Sequence, residues 1–151
     1  MPWTLGNAHT AAIVGAVSAI RPSYILEWGS GESTETLRRM ASRFGARLES
    51  IDNSPGWVRQ TGARLIEDRD QYVSWPVEHA PAAGWGAVLV DGRWRSRCLR
   101  AIHGSLAAGA LVFLHDAERD YYHEAASKYC VLASIKNEEG VELWILSAQE
   151  R

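Results

Sequence analysis

The sequence is poor in cysteine and contains no long apolar run. Its two cysteines among 151 residues, Cys98 and Cys130, have no second Cys or His at metal-site spacing, which predicts two buried thiols. No apolar run approaches the roughly 20 residues that a membrane-spanning helix needs. The start, Met1-Pro2-Trp3-Thr4, lacks the basic and then apolar layout of a signal peptide. These absences predict a cytoplasmic protein that does not enter a membrane.

The sequence also lacks an excess of basic residues. Lys and Arg number 16 against 18 Asp and Glu, for a formal net charge of -2. Binding to duplex nucleic acid usually requires a basic surface, so nucleic acid is not the expected partner. Apolar residues make up 46% of the chain, enough for one core in a chain of this length. We therefore expect one domain over residues 1–151, with 80–84 as an internal loop.

Strand and helix patterns alternate along the chain. A helix is expected from Asn7 until Pro22 stops it, and further helices are expected after Gly31, after Ser54-Pro55, after Asp91 and around 119–129. The predicted strands are 24–28, 47–51, 71–75, 86–91, 110–115, 130–135 and 141–146. Such alternation predicts an α/β fold: a Rossmann-like, doubly wound, mostly parallel seven-stranded sheet. It would end in an antiparallel hairpin and carry no cap domain.

Four predicted strands have an acidic residue at or next to their carboxyl end: Glu27, Asp52, Asp91 and Asp116. Strand ends tolerate polar residues, so any single acid there is weak evidence. The carboxyl ends of parallel strands nevertheless meet at one edge of the sheet, where such folds bind ligands. Together the four acids predict a site at that edge.

The turn at 27–34, Glu-Trp-Gly-Ser-Gly-Glu-Ser-Thr, lies between the first strand and a helix. Its glycines allow the backbone to approach a ligand closely. Asp52 follows at the end of the next strand, where a carboxylate accepts both hydrogen bonds of a ribose diol. A dinucleotide site would prefer a third glycine where Thr34 stands, and Glu27 would repel a pyrophosphate but attract a sulfonium or an amino group. The pattern therefore favours S-adenosylmethionine over NAD.

These motifs resemble those of the class I S-adenosylmethionine-dependent methyltransferases, and in particular a small bacterial and viral subgroup. The resemblance covers about residues 7–147 and rests on Leu26-Glu27-x-Gly29-Ser30-Gly31-x-Ser33-Thr34, Ser50-Ile51-Asp52, Trp57, Val90-Asp91-Gly92-Arg93-x-Arg95 and His115-Asp116-x-x-Arg119-x-x-Tyr122. It implies a methyltransferase whose cofactor residues are Glu27, Gly29, Ser30, Gly31, Ser33, Thr34, Asp52, Asn53 and Trp57. Trp28 is also expected near the cofactor.

Few residues are needed for methyl transfer beyond those that align donor and acceptor and take up a proton. Asp91, His115 and Asp116 are the candidate catalytic residues, and His123 could share the role of base. Asp91 and Asp116 could instead hold Mg²⁺. That alternative is less favoured, because metal-dependent catechol-type methyltransferases usually have a second Asp or Asn where Ala117 stands.

Arginines after the fourth strand suggest how an acceptor binds. Arg93, Arg95 and Arg119 are the expected substrate-binding residues, although a solvated helix face with surface ion pairs explains such clusters equally well. A distant resemblance to plant glucuronoxylan O-methyltransferases suggests the oxygen of a sugar or small molecule as acceptor. Two alternatives stay open: a binding module that needs a partner or a second copy of itself, as a homodimer, and an NAD-dependent oxidoreductase.

Overall fold

The structure is a computed structural model that describes residues 5–148. Its helices are α1 (Gly6–Ile20), α2 (Glu32–Phe44), α3 (Pro55–Thr61), α4 (Arg69–Glu78), α5 (Arg95–Ile102) and α6 (His123–Ala126). Its strands are β1 (Tyr24–Trp28), β2 (Arg47–Asp52), β3 (Arg64–Leu65), β4 (Trp85–Val90), β5 (Leu106–His115), β6 (Tyr129–Lys136) and β7 (Glu142–Ala148). Short 3-10 turns cover His103–Ser105 and Asp120–Tyr122.

All seven strands form one sheet in the order β3-β2-β1-β4-β5-β7-β6. The first five run parallel, and β7 is antiparallel to both β5 and β6. This confirms the predicted Rossmann-like sheet with its closing hairpin. Since β1 pairs with both β2 and β4, the winding reverses between β1 and β4. The carboxyl ends of these two strands therefore flank the crevice where folds of this kind bind ligands.

Helices cover both faces of the sheet because the central strands are apolar on both sides. In β4, Ala87 and Leu89 belong to the cluster that includes Ile13 and Val17 of α1 and Leu37 of α2. The alternate β4 residues, Val88 and Val90, pack in the opposite cluster with residues of α4 and α5, namely Tyr72, Cys98, Leu99 and Ile102. This arrangement is typical of a parallel sheet buried on both faces.

The predicted strand at 71–75 is wrong, because those residues lie in α4. The Tyr-Val-Ser-Trp run resembles a strand in composition, but the Asp68 side chain accepts a hydrogen bond from the Gln71 backbone N–H at 2.9 Å and caps a helix. The third strand is instead β3, which pairs Arg64 with Ile51 and Leu65 with Asp52. The helix predicted after Ser54-Pro55 is short, because α3 ends at Thr61 and is followed by Gly62 with φ of 74°.

Three smaller expectations also fail. The helix around 119–129 is reduced to a 3-10 turn and the four residues of α6. Cys98 is buried as predicted, but Cys130 is exposed because β6 is the last strand of the sheet. Trp28 is fully buried in the core, where its Nε1–H donates to the Tyr72 backbone carbonyl at 3.0 Å.

Among the helices of residues 5–148, none is long and apolar enough to cross a membrane.

Candidate functional site

A cleft of about 560 Å³ opens at the carboxyl ends of β1, β2, β4 and β5. Thirteen of the fifteen residues predicted for the site line it: Gly29, Ser30, Gly31, Ser33, Asp52, Asn53, Trp57, Asp91, Arg93, Arg95, His115, Asp116 and Arg119. The other two, Glu27 and Thr34, lie directly beneath it, with side chains that are 0% and 1% exposed. The topology thus brings together residues that are up to 92 positions apart in sequence.

The floor of the cleft is formed by two turns in close contact. Gly29 has φ of +92°, and a Cβ added to it would lie 2.5 Å from the Asp91 backbone oxygen. A Cβ on Gly92 would collide with the Tyr72 hydroxyl oxygen and lie 2.9 Å from the Gly29 nitrogen. The turn after β1 and the turn after β4 therefore approach each other only because both positions lack a side chain.

Glu27 lies in a cage of hydroxyl groups. Its carboxylate accepts hydrogen bonds from the hydroxyls of Ser33 at 2.5 Å, Thr34 at 2.6 Å and Ser50 at 2.6 Å. The Thr34 hydroxyl in turn accepts the Gly31 backbone N–H at 2.9 Å. Burial raises the pKa of Glu27 to about 7, although the three hydroxyls oppose this shift. Glu27 thus fixes the glycine turn from below.

Asp52 is also buried, but it lines the cleft. Its Oδ2 accepts both the backbone N–H and the hydroxyl of Ser30, at 2.7 and 3.0 Å. Its Oδ1 accepts the Ser54 backbone N–H at 2.8 Å. These bonds come from neutral donors, so the negative charge of Asp52 is oriented but not neutralised. It therefore suits a ligand that offers hydroxyl donors or positive charge.

The opposite end of the cleft has paired charges. Arg95 Nη1 donates to Asp116 Oδ2 at 2.8 Å, and Arg95 Nη2 lies 3.4 Å from Asp91 Oδ1. His115 Nδ1 lies 3.0 Å from Asp91 Oδ1 and 3.5 Å from Asp116 Oδ2, as ion-pair contacts without the alignment of a hydrogen bond. Arg95 also donates to the backbone oxygens of Gly92 and His115. One arginine thus joins the ends of β4 and β5.

These contacts set the charges at this end of the cleft. Burial opposes a charge on His115, but the contacts with Asp116 and Asp91 outweigh it and raise the pKa of His115 to about 9. Burial would also raise the pKa of Asp116, but His115 and Arg95 hold it well below its usual range. At neutral pH the cluster therefore contains a protonated imidazole and an ionised Asp116.

The same cluster is the candidate metal site. One ligand atom from each of Asp91, His115 and Asp116 lies within 4.8 Å of the others. A hard divalent cation would have to displace the guanidinium of Arg95 and the proton of His115, which already neutralise both carboxylates. Mg²⁺ therefore fits this arrangement poorly.

The backbone is strained at the same end of the cleft. Trp94 and Asp116 are non-glycine residues with φ of 51° and 55°. Positive φ is costly for residues with a Cβ and persists where the surrounding structure enforces it, often at functional sites. Trp94 lines the cleft and packs edge-to-face on Tyr72, with ring centroids 5.2 Å apart.

Sequence reasoning missed several residues of the site. Leu5, Ser54, Trp94, Tyr121 and Tyr122 also line the cleft, and Ser50 completes the cage around Glu27. His9 was given no role, yet it is fully buried and its ring lies 5.3 Å from that of His115. The spacing of His9, Ile13 and Val17 along α1 places the histidine on the buried face, a signal that was available in the sequence.

Comparisons with known proteins support the fold. No protein-family model matches the sequence, and no curated protein matches it. Solved structures do match. A methyltransferase-like protein from Silicibacter pomeroyi is 19% identical, with a TM-score of 0.66, covering 99% of this chain and 91% of that one.

Two further structures have similar scores. An rRNA methylase from Streptococcus thermophilus is 11% identical with a TM-score of 0.68, covering 98% of this chain and 100% of that one. A methyltransferase from Podospora anserina bound to SAH (S-adenosylhomocysteine) is 13% identical with a TM-score of 0.64, covering 97% of this chain and 80% of that one. The chain therefore has the fold of the class I S-adenosylmethionine-dependent methyltransferases, as its motifs predicted.

Proposed function

We propose that this protein is an S-adenosylmethionine-dependent methyltransferase that acts on the oxygen of a small molecule or sugar. The observation that carries the proposal is the cleft itself. One end has buried carboxylates held by neutral donors, and the other has two carboxylates clamped by cations. The fold binds ligands at this edge of the sheet, and the structural neighbours include methyltransferases.

The cofactor residues divide into those that contact the ligand and those that support them. Asp52 would bind the ribose diol, with Asn53 and Trp57 beside the adenine. Gly29, Ser30, Gly31 and Ser33 would form the turn against the methionine portion. Glu27 and Thr34 lie under that turn, so we assign them a supporting role through the Ser33 hydroxyl and the Gly31 backbone.

S-adenosylmethionine, when bound, supplies an electrophilic methyl group on a positively charged sulfur. The chain must then hold the acceptor hydroxyl in line and take up its proton. We assign proton uptake to Asp91, whose side chain is 23% exposed against 13% for Asp116 and 12% for His115. A carboxylate is basic enough, because a hydroxyl oxygen becomes strongly acidic as it gains a methyl group. Arg95 and His115, which also contact Asp116, hold Asp91 in place.

The acceptor class rests on the size and charge of the cleft. Its volume of about 560 Å³ suits a cofactor and a small acceptor rather than a folded macromolecule. The net charge of -2 argues against nucleic acid, even though one structural neighbour is an rRNA methylase. A cytoplasmic location and a homodimer stay predictions.

The direct test is methyl transfer. The purified protein, supplied with S-adenosylmethionine and separate panels of hydroxylated sugars and phenols, should yield a product that is one methyl group heavier by mass spectrometry. Asp91→Asn should reduce turnover at least about tenfold while leaving SAH affinity unchanged. Asp70→Asn, at an exposed acid in α4, is the control. Full turnover in Asp91→Asn would refute the assignment of Asp91.

The same experiment distinguishes an active methyltransferase from a module that only binds the cofactor. A chain that binds SAH but methylates no acceptor, alone or at concentrations that favour a dimer, would be a cofactor-binding module. Turnover that rises more steeply than protein concentration would instead show that two copies complete the acceptor site.

A further inference from the structure

The arginines at the acceptor end of the cleft do not have equivalent partners. Arg95 is 11% exposed and contacts both Asp91 and Asp116, so its charge is already matched. Arg93 is exposed and lines the cleft; its backbone oxygen accepts from Cys98 Sγ, but its guanidinium has no hydrogen bond or ion pair with any of residues 5–148. Arg119 is 42% exposed, lies 3.5 Å from Asp116 Oδ2 and donates to the Tyr121 hydroxyl at 3.2 Å.

The charge balance at this end is therefore positive. At this end Arg93, Arg95, Arg119 and protonated His115 face the carboxylates of Asp91 and Asp116, while the third carboxylate that lines the cleft, Asp52, lies at the opposite end. Arg95 and His115 contact both carboxylates, which leaves the charges of Arg93 and Arg119 in excess. A sulfonium bound beside them adds more positive charge. A neutral acceptor would leave this excess unbalanced in a partly desolvated cleft.

We infer that the acceptor carries an anionic group, a carboxylate or a phosphate, which Arg93 and Arg119 bind while Arg95 stays on the two aspartates. This deepens the proposed function and rests on it. Guanidinium groups match both anions with paired N–H donors. The exposed Tyr121 ring, 66% accessible, lies beside Arg119 and offers a surface for the rest of the acceptor.

The test uses small probes, so it does not depend on the acceptor scaffold. Protein loaded with SAH is titrated with inorganic phosphate, acetate and neutral acetamide, and the arginine side-chain N–H signals are followed by NMR. We expect saturable shifts at Arg93 and Arg119 with the anions and none with acetamide. Tighter phosphate binding would assign a phosphorylated acceptor, and tighter acetate binding a carboxylated one.

Substitutions of the two arginines test whether the anion binds to them. Arg93→Gln and Arg119→Gln should each weaken anion binding about tenfold, or 1.4 kcal/mol, without changing SAH affinity. Arg97→Gln, on α5 but outside the cleft, should change neither. Equal responses to acetate and acetamide, or no saturation, would overturn the inference. Loss of SAH affinity in Arg93→Gln would also overturn it, because Arg93 would then bind the cofactor carboxylate. Failure of the wild-type protein to bind SAH would instead count against the proposed function.

A second inference comes from two buried ring nitrogens. His9 is 0% exposed, and its Nε2 lies 3.0 Å from the Ile135 backbone oxygen. A carbonyl oxygen only accepts, so this nitrogen carries the hydrogen and leaves Nδ1 as an acceptor in the neutral ring. His9 Nδ1 and His115 Nε2 are both buried without a hydrogen-bond partner among residues 5–148.

The two rings meet edge-to-face, with centroids 5.3 Å apart and an interplanar angle of 80°. The Nδ1 side of His115 faces Asp91 and Asp116, and Arg95 donates to the His115 backbone oxygen. His9 is a further titratable group whose ring contacts this imidazole. We infer that His9 is a positioning residue that accepts a hydrogen bond from His115 Nε2–H through one bound water molecule, and so keeps His115 charged beside Asp91.

Two substitutions separate this role from simple packing. Gln at position 9 places its amide near the Nε2 position and keeps the bond to Ile135, whereas Asn places its amide near the Nδ1 position. His9→Gln should lower the pKa of His115, measured by NMR of the ring, by about one unit or more. His9→Asn should retain it within a few tenths of a unit. No acceptor is needed for this measurement.

An unchanged His115 pKa in His9→Gln would overturn the second inference, as would equal decreases in both variants. The wild-type protein provides a check that needs no variant. Ring ¹⁵N shifts should show His9 as the Nε2–H tautomer with a hydrogen-bonded Nδ1. A His9 ring protonated on Nδ1 instead would contradict the inference.

Discussion

The two ends of the cleft hold their carboxylates in opposite ways. At the cofactor end, Glu27 and Asp52 accept hydrogen bonds from hydroxyls and backbone N–H groups, all of them neutral. At the acceptor end, Asp91 and Asp116 are in contact with Arg95 and His115, both positively charged. The neutral donors orient Asp52 and leave its charge available, whereas cations cancel the charges of Asp91 and Asp116. Burial raises the pKa of Glu27 to about 7, so Glu27 is partly protonated at neutral pH.

This difference supports the proposed assignment of a ligand to each end. An uncancelled carboxylate favours a ligand with positive charge and hydroxyl groups, which describes S-adenosylmethionine. The clamped carboxylates leave Arg93 and Arg119 in excess and favour an anion. Under the proposed function, the cleft would thus distinguish its two ligands by their charge.

The largest effect should follow the loss of the Arg95 guanidinium, which contacts both Asp91 and Asp116. Arg95→Met leaves Asp91 and Asp116 in a partly buried site with only His115 and the more exposed Arg119 as cations, so the free energy of unfolding at pH 7 should fall by about 3 kcal/mol. Urea denaturation of the wild-type protein and the variant measures this free energy of unfolding. Arg39→Met removes an ion pair whose arginine side chain is 79% exposed, and should cost less than about 0.5 kcal/mol. Equal losses of unfolding free energy in Arg95→Met and Arg39→Met would show that the ion pairs of Arg95 contribute no more than an exposed ion pair.

Glu27 should make stability depend on pH. Its pKa is raised from 4.5 to about 7, so folding favours the protonated form, and the stability it contributes is lost as pH rises from about 4.5 through about 7. Glu27→Gln removes this loss. The free energy of unfolding of the variant minus that of the wild type should therefore rise by about 3 kcal/mol between pH 4 and pH 8. A constant difference across this range would contradict the shifted pKa.

A smaller effect, on binding alone, is expected at Asp52. Asp52→Asn removes the negative charge and one hydrogen-bond acceptor for the ribose, so SAH affinity measured by calorimetry should fall about 30-fold, or 2 kcal/mol. The same substitution at Asp70, exposed on α4, should leave affinity unchanged. Retained affinity in Asp52→Asn would remove this residue from the cofactor end.

The sequence indicated the cofactor end better than the acceptor end, for a physical reason. The glycine turn and Asp52 follow directly from strands β1 and β2, so local patterns place them. The role of Arg95 depends on the side-by-side pairing of β4 and β5, which joins Asp91 to Asp116 across 25 positions. Sequence alone grouped Arg95 with Arg93, although the Arg95 guanidinium contacts two aspartates and that of Arg93 contacts no acidic residue within 5–148.

The errors in the fold have a similar origin. β3 has two residues, too few to show a period, while the Tyr-Val-Ser-Trp run of α4 has the composition of a strand. The hydrogen bond from the Gln71 backbone N–H to the Asp68 side chain caps the helix and favours it over a strand there. The burial of His9 depends on the return of β6 beside α1, a contact between residues 126 positions apart.

The central claim is that this cleft binds S-adenosylmethionine through its cofactor end. Calorimetric titration of the wild-type protein with SAH, and separately with NAD, tests it most directly. We predict one SAH site per chain with a dissociation constant on the order of micromolar, about -8 kcal/mol, and no heat of binding with NAD. Binding of NAD alone, or of neither ligand by folded protein, would contradict the claim.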